Sequence, residues 1–189
     1  MRITEKLIFR AFVEMLEEQP LHKITVTGIV RRCEINRNTF YYHFRDIPDL
    51  IERLAETQTR QILSDRRRFR RPLTFLFYLM LLAVKYKKVL LNLYHSEMQA
   101  VLDRQIEVIC HFYAHRYITE IRNMPGHSPL SAKDTELLIR YWRTLTNGIF
   151  LDWLRHDMEY DLLHAVKRLC VLVAAKRLPA PDMAVQRRK

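Results

Sequence analysis

The sequence predicts an all-helical protein, and three observations carry that prediction. The chain has 189 residues but only three glycines and seven prolines, too few turn formers for a set of hairpins. Its apolar residues recur at three- and four-residue intervals over most of its length. Hydrophobic residues make up 49 % of it, enough for one or two cores. No run reaches the roughly 18 consecutive apolar residues of a membrane span. "LTFLFYLMLLAV" (73–84) comes closest and leads into "KYKK". The opening "MRITEKLIF" carries charges where a signal peptide is apolar, so a cytoplasmic protein with no membrane partner is expected. Cys33, Cys110 and Cys170 are odd in number and far apart, which reads as free thiols in a reducing compartment.

The first helix is expected over 3–18. Leu7, Ile8, Ala11, Phe12, Met15 and Leu16 share a face, and Pro20 ends the helix. Thr25 can cap a second helix whose inward positions are Ile29, Val30 and Cys33. Asn36 reads as another N-cap, so "EIN" has to be a tight turn. The "TFYYHF" that follows has strand propensity but no clean alternation and no strand nearby to pair with. As a helix it stacks Phe40 and Phe44 inward at i, i+4. Arg37, Asn38, Thr39, Tyr41, Tyr42 and His43 are then spread over the remaining surface. Two short helices around such a turn form a helix-turn-helix.

A fourth helix opens at Asp46, with Asp49 three residues on and Pro48 tolerated in the first turn. It is expected to run to about Phe69, before Pro72. Helices follow over 73–84, buried on most sides, then over 88–96 and 97–122. "NMPGHSP" (123–129) is a loop, helices over 131–156 and 159–176 finish the fold, and the tail is expected to be disordered. The division is thus 1–46, a helix-turn-helix domain; 47–178, a helical regulatory and dimerisation domain; and 179–189, the tail.

The net charge of +11 is unevenly spread: +1 over residues 1–50, +7 over 51–88 and +3 over 89–189. A basic protein favours polyanionic partners. The densest run, "RRRFRR" (66–71), is read as a solvated helix end. His111 and His115 stand at i, i+4, but no second pair at ligand spacing accompanies them, so no metal or cofactor is expected. There is no glycine-rich phosphate loop, no G-x-S-x-G and no catalytic constellation, so the chain is not read as an enzyme.

The stretch "ITVTGIVRRCEINRNTFYYHFRDIPDLI" (24–51) resembles the DNA-binding domain of the tetracycline-repressor (TetR) family, and the resemblance covers about residues 3–52. Farther on, "TNGIFLDWLRHDM" weakly resembles the branch containing dihydroxyacetone-operon regulators. The resemblance implies a homodimeric transcription regulator, most often a repressor, bound to a palindromic double-stranded operator and released by a small apolar or aromatic effector. It puts Thr25 and Thr27 near the DNA backbone and Asn36, Arg37, Asn38 and Thr39 at the major groove. Tyr41, Tyr42 and His43 line the groove and phosphate side, with Arg45 just outside. Chemistry agrees: Arg37 can bind guanine in bidentate fashion, Asn36 or Asn38 adenine, and Thr39 and the tyrosine hydroxyls phosphate. Two departures stand out. Glu34 holds the turn position where the family has glycine, and Ile47 holds the place of a phosphate-binding lysine.

Phe77, Tyr78, Met98, Phe112 and Tyr113 could be ordinary core or the lining of an adaptable pocket. The resemblance places an effector pocket in that region. The last two helices offer more apolar surface than one chain readily covers, so a four-helix dimer bundle is expected there, with Trp142, Ile149, Trp153 and Leu169 in it. The rival reading is a protein-interaction adaptor or co-regulator that kept the fold and lost operator binding, with Glu34, Ile47 and the low charge of residues 1–50 in its favour.

Overall fold

A computed structural model describes residues 3–64, 72–122 and 130–174. The basic run at 66–71, the end of the fourth helix near Phe69, the 123–129 loop and the C-terminal tail lie outside the described residues. Within them the α-helices are, in order, α1 (Ile3–Glu18), α2 (Val26–Arg32), α3 (Arg37–His43), α4 (Ile47–Ser64), α5 (Pro72–Lys85), α6 (Lys87–Tyr94), α7 (Gln99–Arg122), α8 (Ala132–Arg155) and α9 (Leu162–Ala174). A 3-10 turn, Leu21–Lys23, joins α1 to α2.

Helices α1 to α3 close on themselves. Ile8, Phe12, Ile29 and Phe40 are wholly buried, and Phe9 and Phe40 both pack on the Phe44 ring, at 5.5 and 5.7 Å between centroids. Gly28 lets α2 approach α1: a Cβ there would meet Met15 Cε at 3.0 Å. Across the outer edge Arg32 grips the Glu18 carboxylate with both guanidinium nitrogens, at 2.9 and 2.5 Å. That bond holds Glu18 below its ordinary pKa.

The helix stops at Glu34 and Asp157 are built alike. Glu34 takes φ 54°; its N–H donates to Arg31 O and that of Ile35 reaches back to Val30 O. Asp157 takes φ 53° at the end of α8; its N–H donates to Leu154 O and that of Met158 to Trp153 O. These left-handed ends satisfy carbonyls the helix leaves open, and glycine is the usual occupant. Here acids take the position, at a cost of about 1 kcal/mol each.

One core runs from α1–α4 through α5, α6 and α7 to the α8–α9 turn. A smaller cluster gathers around Phe75 and Tyr113. Helix α7 packs along α8 and against α4. Buried between α7 and α8, the Cys110 thiol is pushed up to about 11, so it stays protonated and unreactive. Cys33 is buried as well, and both thiols are free.

Asn92 ties the two ends of the core. Its side-chain amide donates to Leu16 O at 3.0 Å and Gln19 O at 2.7 Å, and its oxygen accepts from Leu21 N–H at 2.8 Å. The carbonyls that α1 leaves open at its C-terminus are thus closed by α6. From the same helix Lys87 donates to Met158 O at 3.2 Å and His95 meets Asp157 at 2.7 Å, so α6 also grips the α8–α9 turn.

Helix α5 departs from expectation. Phe75, Met80 and Ala83 are buried, but Leu81 and Val84 are exposed. It packs on α6, α7 and α9, and Ile62 and Leu63 of α4 join the cluster around Phe75.

Candidate nucleic-acid interface

The recognition helix α3 is capped before it offers anything outward. Asn36 Oδ1 accepts both the Thr39 N–H at 2.7 Å and the Thr39 hydroxyl at 3.0 Å. Likewise Thr25 Oγ1 caps α2 by accepting the Gly28 N–H at 3.1 Å. The acceptors of Thr25 and Asn36 are therefore engaged within the protein. A bidentate adenine contact needs a free amide oxygen, which leaves Asn38 as the better adenine reader of the pair.

What remains outward is a compact set. Arg37, Asn38, Tyr41, Tyr42 and Arg45 are exposed, with Tyr41 at 54 % and Tyr42 at 71 %. Their rings touch only at an edge within the chain, Tyr41 on Phe40 at 5.5 Å and Tyr42 on His43 at 5.1 Å among the ring contacts described, so most of each ring is left to solvent. Thr27, also exposed, accepts a hydrogen bond from Arg37, which pre-positions the guanidinium across the turn.

His43 is a correction. Three residues after Phe40, it lies on the inward face of α3, with only 7 % of its side chain exposed, and its Nδ1 is 3.8 Å from Glu5. It braces α3 against α1 and does not line the outer face. Thr39 is half-buried.

The start of α4 supports Arg45. Asp46 caps by accepting the Asp49 N–H at 2.8 Å, and the buried Asp49 carboxylate accepts the Arg45 N–H at 2.9 Å and the Arg53 Nε–H at 3.3 Å. Burial pushes the Asp49 carboxyl up, but the Arg45 N–H and the Arg53 guanidinium outweigh it and hold it below the ordinary range. The Arg45 side chain is left 81 % exposed. Ile47, in the place of the family's lysine, packs half-buried on the core. At the start of α4 the exposed cation is therefore Arg45, beside the first-turn N–H groups.

Two family models match the sequence. "Bacterial regulatory proteins, tetR family" covers residues 8–54, and "Transcriptional regulator C-terminal region" covers residues 71–174. The chain belongs to the TetR family of transcriptional regulators. A curated relative, the HTH-type dhaKLM operon transcriptional activator DhaS of Lactococcus lactis subsp. lactis (strain IL1403), is 30 % identical over 63 residues. That match spans 33 % of this chain and about a third, 34 %, of the relative. Among solved structures, a dihydroxyacetone kinase operon activator DhaS shares the fold at a TM-score of 0.76 and 17 % identity, over 92 % of this chain and 96 % of that one. NalD, the secondary repressor of the MexAB-OprM efflux pump in Pseudomonas aeruginosa, gives a TM-score of 0.48 at 22 % identity, over 92 % and 95 % of the two chains.

In this TetR-family chain the five expected pocket residues fall into two packing clusters. Met98 is buried in the main core, and Phe77 packs against that core with Lys167 Nζ 5.7 Å from its ring. Tyr78, Phe112 and Tyr113 belong to the smaller cluster, where Tyr113 stacks on Phe75 and on Tyr117. Of the expected dimer residues, Trp142 and Ile149 are half-buried and Leu169 is exposed. Trp153 is corrected: it is 3 % exposed, and its indole N–H donates to Tyr160 O at 2.8 Å. It holds the α8–α9 turn inside its own chain.

Sequence reasoning missed Asn92. Its signal was present, as the one polar residue inside "VLLNLY", but its partners lie 71 to 76 residues away.

Proposed function

We propose that the chain is a homodimeric regulator that binds a palindromic duplex through Arg37, Asn38, Tyr41, Tyr42 and Arg45. The observation that carries this reading is the joint exposure of the first four on a helix whose caps are satisfied from within, with Arg45 exposed just after it. Arg37 and Asn38 suit base edges; the tyrosine hydroxyls, Thr27 and Arg45 suit phosphates. The chain does no covalent chemistry. Binding is the extent of the proposal: the DhaS relatives are named activators, so repression is not carried forward from the family pattern.

The dimer proposal rests on α8 and α9. Leu137, Tyr141, Leu169 and Val171 are exposed, with Trp142 and Ile149 half-buried beside them. Gly148 adds a second support. It lies in the body of α8, where glycine costs about 1 kcal/mol against alanine, and a Cβ there would touch nothing in its own chain. Close approach of a partner helix gives that glycine a reason. An effector acts from the α5–α7 region, around Tyr78, Phe112 and Tyr113.

An electrophoretic shift with the duplex upstream of the protein's own gene tests the reading. Wild type is expected to shift it, and Arg37→Ala to weaken specific binding by about 1–3 kcal/mol while leaving random-sequence binding nearly unchanged. Equal loss on both would make Arg37 a phosphate contact. Absence of any shift by the wild-type dimer would favour the adaptor reading.

A further inference from the structure

Between α1 and α4 lies a cleft of about 430 Å³ that none of the DNA-reading or effector residues line. Its α4 wall presents Arg53, Thr57, Arg60, Gln61 and Ser64, and its α1 wall Glu5 and the edge of Phe9. Arg53 and Arg60 are seven residues apart on one helix, so they leave it on one face from backbone positions two turns, or about 10 Å, apart. The Thr57 hydroxyl lies between them.

The two arginines are differently engaged. Arg53 is fixed: its guanidinium sits 5.6 Å from the Phe44 ring centroid and binds Asp49. Among the described residues Arg60 has no carboxylate within ion-pair distance; it reaches only the Thr57 hydroxyl, at 3.4 Å. Glu5 is the one acid on the walls, and it stands 3.8 Å from His43 on the far side from the DNA-reading face. The cleft therefore carries a net positive charge. Around it are one cation with no carboxylate partner among the described residues, a second held in place, and the Thr57 hydroxyl and Gln61 amide, while the Ser64 hydroxyl donates to Gln61 O at 3.0 Å. Guanidinium forks with neutral donors between them bind carboxylates and phosphates, and two forks two turns apart suit a ligand with an anionic group at each end.

We propose that this cleft is a binding site for a small organic dianion of the dicarboxylate or diphosphate class, held by Arg53 and Arg60. A ligand drawing Arg53 toward the cleft competes with Asp49, which holds the Arg45 N–H. Occupancy is thereby linked to the start of α4. The binding step is independent of the DNA-binding reading; only its consequence for DNA rests on that reading.

Calorimetric titration of the full chain at fixed ionic strength tests it, with adipate and pyrophosphate as probes and acetate as the single-anion control. Wild type is expected to bind at least one dianion with a Kd below about 1 mM, and acetate at least tenfold more weakly. Arg60→Gln should weaken the dianion about tenfold or more, with Arg60→Lys between the two. Arg116→Gln, an exposed arginine on α7, should leave the affinity unchanged. No heat from either dianion up to about 10 mM, or equal losses in Arg60→Gln and Arg116→Gln, overturns the site. If Arg60→Gln instead weakens binding to random duplex and leaves the dianion unaffected, the cleft follows DNA backbone and the proposal fails. Whether a bound dianion shifts operator affinity is read separately, so failure of DNA binding cannot be mistaken for failure of the site.

Discussion

Helices α1 and α8 are both amphipathic, yet α1 buries six of its 16 residues within the chain and α8 only Trp153 and Leu154 of its 24. The same contrast holds for their acids and glycines. In the N-terminal region Asp49 is buried with its charge answered by Arg45 and Arg53, and Gly28 sits close under the Met15 side chain. In the C-terminal region Asp103 and Asn147 each keep a buried oxygen with no hydrogen-bond partner, and Gly148 faces open space. Burial alone pushes the Asp103 carboxyl up. Loose ends of this kind are rare in a finished core. The N-terminal three helices bury their apolar faces within the chain, whereas α8 and α9 leave Leu137, Tyr141, Leu169 and Val171 exposed, the surface on which the proposed dimer rests.

The largest effects should separate the inward and outward residues of α8 and α9. Trp153→Ala removes a buried ring and its bond to Tyr160, and is expected to cost about 3–5 kcal/mol of folding stability in a denaturant melt. The pair Ile149→Glu with Leu169→Glu should instead leave each chain folded and weaken self-association by about 4 kcal/mol, roughly a thousandfold. Sedimentation that still finds an intact dimer would put the interface elsewhere.

Next in size is the joint between the regions. Asn92→Ala leaves Leu16 O, Gln19 O and Leu21 N–H without their partner, a loss of about 2–3 kcal/mol. Hydrogen exchange should then rise at Leu21 and the end of α1 ahead of α2 and α3. Uniform exchange across α1–α3 would mean that the joint carries no local stability.

The two carboxylates should respond to pH with opposite signs. The Asp49 pKa is depressed, so its stabilisation is present above the unfolded pKa, about 4, and disappears as pH falls through the folded value. Asp49→Asn should therefore lower Tm at pH 7, by the equivalent of about 1–3 kcal/mol, and converge on wild type in acid. The Asp103 pKa is raised, so its ionised form opposes folding above the folded pKa, and that penalty is relieved as pH falls. Asp103 and Asn147 each stand one turn from the Glu107–Arg143 pair, which meets at 3.7 Å across the α7–α8 seam. Asp103→Asn supplies a donor there and should raise Tm at pH 7 by the equivalent of about 1 kcal/mol, with the gain shrinking in acid. Melts of both variants from pH 3 to 8 would expose a wrong sign in either.

The smallest effect is expected at the turn. Glu34→Gly relieves the left-handed strain and should gain at most about 1 kcal/mol, because glycine also loses more freedom on folding. It also removes a carboxylate beside the DNA-reading face, so DNA affinity should rise even where stability barely moves. A fall in affinity would show that Glu34 contributes to recognition.

The sequence by itself determined the elements and the reading head. Caps at Thr25, Asn36 and Asp46 and the i, i+4 apolar faces are local signals, because a cap bonds within three residues and a helix face repeats every turn. Hence the N-terminal helices, the turn geometry at Glu34 and the outward Arg37, Tyr41 and Tyr42 were legible. Tertiary structure alone decided which side of a short helix faces in, turning His43 toward Glu5 and Trp153 into its own turn. It divided the expected pocket residues between two clusters, and it gave Asn92 its partners in α1. The reason is physical: helical period fixes angles around one axis, while the rotation of each helix against its neighbours follows from packing among residues far apart in the chain.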